Sequence, residues 1–289
     1  MSNRDWMAGR NLVARLLCVA VAMGSITFSK QAAAAEPAEQ EEAPESAVSS
    51  PPMEMDDPGT PGPRGIEVNF VGTLVRLGPG RSSEGLLDAN FGIGERIQLK
   101  YERPYVTEHS DGTEFQQGLG ATEIGVKWRF MDSHGMAIAF YPNYQFDDGF
   151  TLKDAEGNPE ESEGRSTYFP LLFSENVGHL YTLAANYGYR HNLDGHGDDN
   201  NVALGIGRAV GWDGRVMAEV FSERDENFHN RQTDARVGFA FLPFPKSFEH
   251  SNFETPVFAS FGHSIGKTEE GEKSASFAFG VSLIRKPRG

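Results

Sequence analysis

Within Leu119–Phe130 (LGATEIGVKWRF), strict alternation from Glu123 onward limits this chain to a narrow choice of folds. One parity holds Ile124, Val126, Trp128 and Phe130, and the other holds Glu123, Gly125, Lys127 and Arg129. A period of two residues predicts a β-strand whose side chains point to opposite faces in turn. In a soluble sheet the apolar face meets a core, whereas in a transmembrane barrel it meets lipid and the charged face lines a lumen. Both folds remain open at this point.

The composition is compatible with both folds and argues against two other classes of protein. The chain has 21 Phe and 33 Gly, although only 38% of its residues are hydrophobic. Outside the N-terminus there is no apolar run of about 18 residues or more, which excludes a helical membrane protein. The net charge of −15 argues against nucleic acid as a partner, since such binding needs a basic patch.

The first 35 residues predict a cleaved secretory signal peptide. Positive charge from Arg4, Arg10 and Arg15 precedes an apolar region, Leu16–Phe28, and Ala33–Ala35 offers an A-x-A cleavage site. The single cysteine of the chain, Cys18, lies inside this segment. The exported chain therefore has no disulfide framework.

Residues 36–65 predict a disordered tail rich in Glu, Pro, Ala and Ser. The segment has eight acidic residues and one basic residue. Such a composition buries too little apolar surface to offset the entropy that is lost on ordering. We expect a solvated spacer without a specific partner, followed by one folded domain over residues 66–289.

Twelve strand candidates follow the tail, and most have about the 9–11 residues that a tilted strand needs to cross a bilayer. They are residues 66–77, 85–93, 96–106, 118–130, 136–146, 166–174, 179–191, 200–208, 214–223, 232–242, 256–265 and 274–285. Alternation recurs in several of them. In 274–284, for example, Ala275, Phe277, Phe279, Val281 and Leu283 share one parity.

The connections between these candidates decide between the two folds. They are short after the second, fourth, sixth and eighth strands, and longer and polar after the odd-numbered ones. The longest, 147–165, has seven acidic and two basic residues, and 243–255 is an exception, being long where a short turn is expected. Short turns at one end and long loops at the other are typical of bacterial outer-membrane barrels, whose termini are periplasmic. We therefore predict an all-β, transmembrane antiparallel up-and-down β-barrel of about 12 strands rather than a secreted β-sandwich.

Several stretches also resemble a known family. Gly65–Thr73 (GIEVNFVGT), Leu87–Tyr105 (LDANFGIGERIQLKYERPY), Gly118–Phe130, Tyr141–Pro142 and Phe169–Phe173 (FPLLF) carry the likeness. The chain resembles a family of outer-membrane transporters that is named after the MetA pathway of phenol degradation. The resemblance implies a barrel with a transport or channel function. The chain departs from many outer-membrane barrels at its end, because it finishes in RKPRG rather than on an aromatic residue.

A set of polar residues is expected on the lumenal parity of the predicted strands. Its members are Asp88, Asn90, Lys100, Glu102, Glu123, Lys127, Arg129 and Arg236. Consecutive antiparallel strands bring several of these charges onto one wall. Two interpretations stay open: a constriction that selects permeants by charge, or a set of ion pairs that fill the lumen, since buried charges are seldom left unpaired.

The sequence offers no pattern that predicts catalysis, a cofactor or a metal site. His263 and Ser264 are adjacent, so on a strand they point to opposite faces, and no G-x-S-x-G turn occurs. His191–Asn201 (HNLDGHGDDNN) lacks the spacing of a calcium loop that ends in a bidentate Glu. We expect no enzymatic activity, and read this segment as a solvated loop.

The functional prediction is an outer-membrane channel or transporter for small solutes, with aromatic or other hydrophobic compounds as one class. The alternative is a non-conducting barrel that acts as a surface or interaction protein through acidic extracellular loops. The expected partners are outer-membrane lipid, a small-molecule permeant and the barrel-assembly machinery. The expected location is the cell outer membrane of a Gram-negative bacterium.

Overall fold

A computed structural model describes residues 53–78, 80–109, 116–146, 164–194, 197–211, 213–243, 253–265 and 273–285. Within these ranges the regular structure is antiparallel β throughout. The strands are β1 (Ile66–Leu77), β2 (Gly80–Ile93), β3 (Ile97–His109), β4 (Gln116–Leu119), β5 (Thr122–Ser133), β6 (Met136–Phe140), β7 (Asn143–Phe146), β8 (Ser166–Val177), β9 (Tyr181–Asn192), β10 (Asp199–Val210), β11 (Gly214–Asp225), β12 (Asn230–Phe241), β13 (Phe253–Glu254), β14 (Val257–Ser264) and β15 (Ser274–Arg285). None of the residues described belongs to a helix of the length and apolarity needed to cross a membrane.

The sheet closes on itself, because β1 pairs with β2 on one side and with β15 on the other. Three pairs of short segments each act as one barrel strand. β4 and β5 both pair with β3, β6 and β7 both pair with β5 and β8, and β13 and β14 both pair with β15. The result is a closed barrel of twelve antiparallel strands. Closure removes the edges that an open sheet leaves unpaired, and the predicted fold class is confirmed.

The three interruptions fall at residues that fit a regular ladder poorly. Gly120 and Ala121 separate β4 from β5, Tyr141–Pro142 separates β6 from β7, and Pro256 lies just before β14. Proline has no backbone N–H to donate, so it leaves a gap in the hydrogen-bond ladder wherever it falls. The predicted strands 118–130 and 136–146 are correct in place, but the first is interrupted near its start and the second in its middle.

The outer surface of the barrel is apolar, as the alternation predicted. Trp128 is 52% exposed and Ile124 is 46% exposed, whereas Lys127 on the other parity is 4% exposed. The same pattern repeats on the other strands. Exposed large residues include Phe70, Leu74, Phe91, Leu171, Leu204, Val237, Phe239, Phe261, Phe277 and Phe279. An outward apolar band with a polar interior is the geometry of a transmembrane β-barrel.

Four tight connections lie at one end of the barrel, here called the short-turn end, and the first strand also begins there and the last strand ends there. Tight connections join β2 to β3, β5 to β6, β8 to β9 and β10 to β11. Gly94, Gly135 and Gly178 occupy left-handed conformations in three of these turns, with φ of 66°, 81° and 65°. Ile66 pairs with Arg285, so β1 begins and β15 ends at this short-turn end.

One predicted connection is wrong. The sequence predicted a polar loop between residues 77 and 85, but β2 begins at Gly80 and only residues 78 and 79 connect it to β1. Arg81 and Ser82 pair with Arg76 and Val75. The polar residues of this stretch predicted a loop, but strand pairing satisfies the backbone hydrogen bonds of residues 80–84. The loops 110–115, 147–163 and 266–272 of the other end lie outside the described residues.

Candidate functional site

The residues predicted for the lumen lie on the parity opposite to the exposed apolar residues. Asp88, Asn90 and Lys127 are among the buried polar residues of the barrel. Strand register brings the predicted charges of β3 and β5 together, since Glu102 pairs with Glu123 and Lys100 lies opposite Gly125. The shared wall that the sequence predicted is therefore present.

A cluster of two lysines and a tyrosine forms the centre of this wall. Lys100 Nζ lies 2.6 Å from Glu102 Oε1. Tyr141 donates a hydrogen bond of 2.7 Å from its hydroxyl to Glu123 Oε1. The Tyr141 ring also lies below both ammonium groups, with its centroid 5.3 Å from Lys100 Nζ and 5.6 Å from Lys127 Nζ. These distances are within the range of cation–π attraction.

Residues 53–65, here called the luminal segment, lie inside the barrel. The segment contacts Lys100 on β3, Lys127 on β5, Asn186 on β9, Glu219 on β11 and Arg236 on β12. These strands are distributed around the barrel, so a single segment reaches all of them only from within. The luminal segment therefore occupies the lumen.

Ion pairs hold two acidic side chains of the luminal segment against the wall. Asp56 lies 3.7 Å from both Lys100 Nζ and Lys127 Nζ. Glu54 Oε1 lies 2.5 Å from Arg236 Nη2. Burial alone would raise the pKa of Asp56, but the two lysines outweigh it and hold the pKa below its ordinary value of 3.8. Asp56 is therefore ionised at neutral pH.

The backbone of the luminal segment is bound as well. Glu219 accepts hydrogen bonds from the backbone N–H groups of Glu54 and Met55, at 2.9 and 3.2 Å. Asn186 donates to the carbonyl of Asp56, and Lys127 donates to the carbonyl of Asp57. Backbone groups taken out of water need such partners. The segment is thus held at successive residues rather than through its side chains alone.

Apolar contacts and small wall residues complete this fit. Met55 is 5% exposed and packs with Ala203 and Met217. A Cβ atom on Gly205 would come within 2.2 Å of the Met55 side chain, so the glycine leaves room for it. Pro58 is fully buried. The interior face of the wall is therefore shaped to accept the segment.

The segment leaves the lumen at the short-turn end. Thr60 donates from its hydroxyl to the carbonyl of Glu95 in the β2–β3 turn, at 3.0 Å. Arg64 N–H donates to the carbonyl of Gly92, and Gly92 N–H donates to the carbonyl of Gly65. These contacts lead directly into β1.

The expectation of a disordered tail fails for residues 53–65. The composition is polar, but the acids meet cations that lie elsewhere in the chain, and these contacts offset the entropy of ordering. Residues 36–52, and the predicted signal peptide, lie outside the described part of the chain.

Three of the predicted lumenal residues have local roles. Asp88 accepts hydrogen bonds from Asn69 and Asn90, at 2.8 and 2.9 Å, and Gln98 donates to Asn90. Asp88 and Asn90 thus belong to a hydrogen-bonded row across β1, β2 and β3. Arg129 lies nearer the short-turn end, where it donates to the Glu95 carbonyl at 2.9 Å and pairs with Asp132 at 3.1 Å.

The other segments considered in the sequence make local hydrogen bonds where the chain is described. Asp198 accepts hydrogen bonds from Tyr189, His191 and the Asn192 backbone. The Tyr189 hydroxyl and His191 lower the pKa of Asp198. The described residues contain no group of three or more His, Cys, Asp or Glu side chains arranged to hold a metal ion. His263 hydrogen-bonds to the Ser264 carbonyl, not to its hydroxyl.

Sequence reasoning missed several participants, among them Glu54, Asp56, Tyr141, Asn186 and Glu219. The contacts of Glu54 and Met55 with Glu219 span 165 and 164 residues of sequence, so no local pattern encodes them. One signal was present. The acids of the tail are opposite in sign to Lys100, Lys127 and Arg236 on the predicted wall.

Comparison with solved structures supports the assignment of the fold. No protein-family model matches the sequence, and a search of the curated proteins gives no match. Among solved structures, an outer membrane channel from Pseudomonas putida F1 is similar, with a TM-score of 0.56 and 10% identity, over 80% of this chain and 97% of that chain. The NanC porin is similar with a TM-score of 0.51 and 9% identity, over 75% of this chain and 98% of that chain. At such identities the likeness shows the fold alone: a closed outer-membrane-type β-barrel.

Proposed function

We propose that this protein is an outer-membrane channel for small solutes. The observation that carries the proposal is the division of one closed wall into an apolar outer face and a charged, polar inner face. The apolar outer face is suited to contact with lipid. The inner face offers a permeant polar groups that replace its hydration water. No covalent chemistry is needed for this function, and the similarity in fold to an outer membrane channel supports it.

Polar or charged solutes fit the described wall better than purely hydrophobic ones. Where the luminal segment lies, the wall presents Lys100, Lys127, Asn186, Glu219 and Arg236. An apolar molecule would strip water from these groups without replacing their hydrogen bonds. The predicted aromatic or other hydrophobic solutes therefore fit best when they also carry a charge.

Solute uptake by liposomes tests the channel function. Purified folded protein is reconstituted, and swelling is followed in neutral sugars, aromatic acids and neutral aromatic compounds of similar size. The proposal expects swelling with small polar solutes that falls as solute size increases. The proposal would be contradicted if liposomes containing the protein swelled no faster than protein-free liposomes in every solute. The same result would also have to hold for the variant lacking residues 53–62.

The occupied lumen favours a second function, that of a non-conducting barrel. In that case the luminal segment is a permanent part of the core, and the acidic connection 147–165 binds a partner. Most of that connection lies outside the described residues. Deleting residues 149–164 separates the two functions, because it would abolish partner binding in the second and leave solute uptake in place in the first.

Location and export remain part of the proposal. We propose that residues 1–35 are removed as a signal peptide, that the barrel-assembly machinery inserts the domain, and that outer-membrane lipid surrounds its apolar face. Cell fractionation checks this placement. The protein should require detergent for extraction and should change its gel mobility on heating, whereas extraction by salt alone would contradict a membrane location.

A further inference from the structure

The Asp56 side chain occupies a position in the lumen that is built to hold a carboxylate. Two ammonium groups, Lys100 Nζ and Lys127 Nζ, each lie 3.7 Å from one of its oxygens. The ring of Tyr141 lies below both. A third cation, Arg236, holds the carboxylate of Glu54.

We propose that the cationic wall formed by Lys100, Lys127 and Arg236 is a binding site for small carboxylate solutes. In this proposal Glu54 and Asp56 are internal ligands that occupy the site until a solute displaces them. The binding site is inferred from the contacts of Asp56 and Glu54 with the wall, whereas its use during permeation rests on the proposed channel function.

The partners of the wall cations support a ligand from outside the wall at Lys127. Lys100 has a wall partner, Glu102, at 2.6 Å, and Glu219 lies opposite Arg236 in strand register. Among the described residues, Lys127 makes its ion pair with Asp56 and none with a wall carboxylate. When the luminal segment leaves, the Lys127 ammonium therefore loses its carboxylate partner and is open to another anion.

Arg236 adds a second point of attachment. Its Nη2 binds Glu54, but its buried Nε has no hydrogen-bond partner within the described ranges. Glu54 and Asp56 are two residues apart, which in an extended chain separates their Cα atoms by about 7 Å. A linear dicarboxylate of similar span would reach both cationic positions, so dicarboxylates should bind more tightly than monocarboxylates.

Tethering makes the internal ligand a strong competitor. A segment joined to the wall by a short linker acts at an effective concentration of about millimolar or more. A free carboxylate must then displace a ligand that is present at a high local concentration. The apparent affinity of the full chain for the free carboxylate is therefore low. Removing the internal carboxylates should raise that affinity without any change in the wall.

Calorimetric titration of the folded full-length protein in detergent tests the site, with adipate as the probe and its neutral diamide as the matched compound. The double variant Glu54→Gln/Asp56→Asn should bind adipate about tenfold or more tightly than the unmodified chain. The diamide should not bind either protein. Adding Lys127→Gln to the double variant should weaken adipate binding about tenfold or more, because an ion pair in a partly buried site is lost.

One control variant removes a charge away from the site. Lys273→Gln removes an exposed lysine that precedes β15. It should change adipate affinity by no more than about twofold. Gel mobility before and after heating shows that each variant is folded.

The outcomes separate this proposal from the channel function. If the double variant binds adipate no better than the unmodified chain, or binds the diamide equally well, the carboxylate site is wrong, whether or not the protein conducts. If adipate binds as expected but liposomes take up no solute, the site stands and the channel function fails. If Lys100→Gln and Lys127→Gln both leave adipate binding unchanged, the wall is not the site.

Discussion

At the scale of single residues, Lys127 joins the wall to the luminal segment through an ion pair with Asp56 and a hydrogen bond to the Asp57 carbonyl. Alternation in the sequence correctly predicted that it faces inward, and it is 4% exposed. Its partner was not predictable, because Asp56 lies in a segment whose composition indicates disorder. Side-chain parity is a local property of a strand, whereas an ion pair across a lumen depends on the closed fold.

Reversing this charge should change ion selectivity. In a variant that lacks residues 53–62, Lys127→Glu should shift the reversal potential toward cation preference, because the constriction exchanges a positive for a negative charge. Planar-bilayer recordings in a salt gradient measure the shift. Lys273→Glu changes the net charge equally at an exposed position and should have little effect. An unchanged reversal potential for Lys127→Glu would point to a purely structural role.

The Asp56 pKa predicts how the luminal segment responds to acid. Because the pKa is held below 3.8, the ion-pair contribution is fully present above that pH and is lost as pH falls through the lowered value. A spin label at Thr60→Cys should stay immobilised between about pH 8 and pH 5 and become mobile only in stronger acid. Asp56→Asn in the same labelled chain removes the titrating group. Release of the segment near neutral pH in the unmodified chain would contradict this assignment.

At the scale of elements, packing inside the barrel restricts which side chains β5 can carry. Gly125 lies opposite Lys100, and a Cβ atom there would come within 2.5 Å of the Tyr141 ring and 2.9 Å of Asn143 Cβ. The sequence places Gly125 on the polar parity but does not reveal why it is glycine. The reason is the break at Tyr141–Pro142, which directs the Tyr141 side chain across β5.

Gly125→Ala should therefore destabilise the barrel. Overpacking of this kind costs about 1–3 kcal/mol, because the Tyr141 ring or the backbone must move. Gly85→Ala is the matched control, since a Cβ atom at Gly85 would meet nothing within 4 Å. Thermal unfolding in detergent compares the two. Equal unfolding midpoints would show that the Tyr141 contact is not rigid.

At the scale of the whole molecule, the sequence predicted the barrel well and its contents poorly. All twelve strand positions were found, because most strands show the same local alternation of apolar and polar residues. The luminal segment was missed, because its stability comes from contacts with five strands that meet only when the barrel closes. The first connection was misjudged for a related reason, since strand pairing satisfies a polar backbone that resembles a loop.

The barrel and its luminal segment together imply a pore that is filled by its own chain. Glu54, Asp56 and the backbone around them are held by wall residues on opposite sides of the lumen, so the segment lies in the path of any permeant. Removing it should leave the wall intact, since no barrel strand includes residues 53–65.

Single-channel recording of the full chain and of the variant lacking residues 53–62 tests this claim most directly. Both proteins should insert into planar bilayers. The variant should show larger and longer-lived conductance steps than the full chain, and the Glu54→Gln/Asp56→Asn variant should lie between them. Identical conductance for all three proteins, or silent bilayers from folded protein lacking the segment, would contradict a pore that the luminal segment fills.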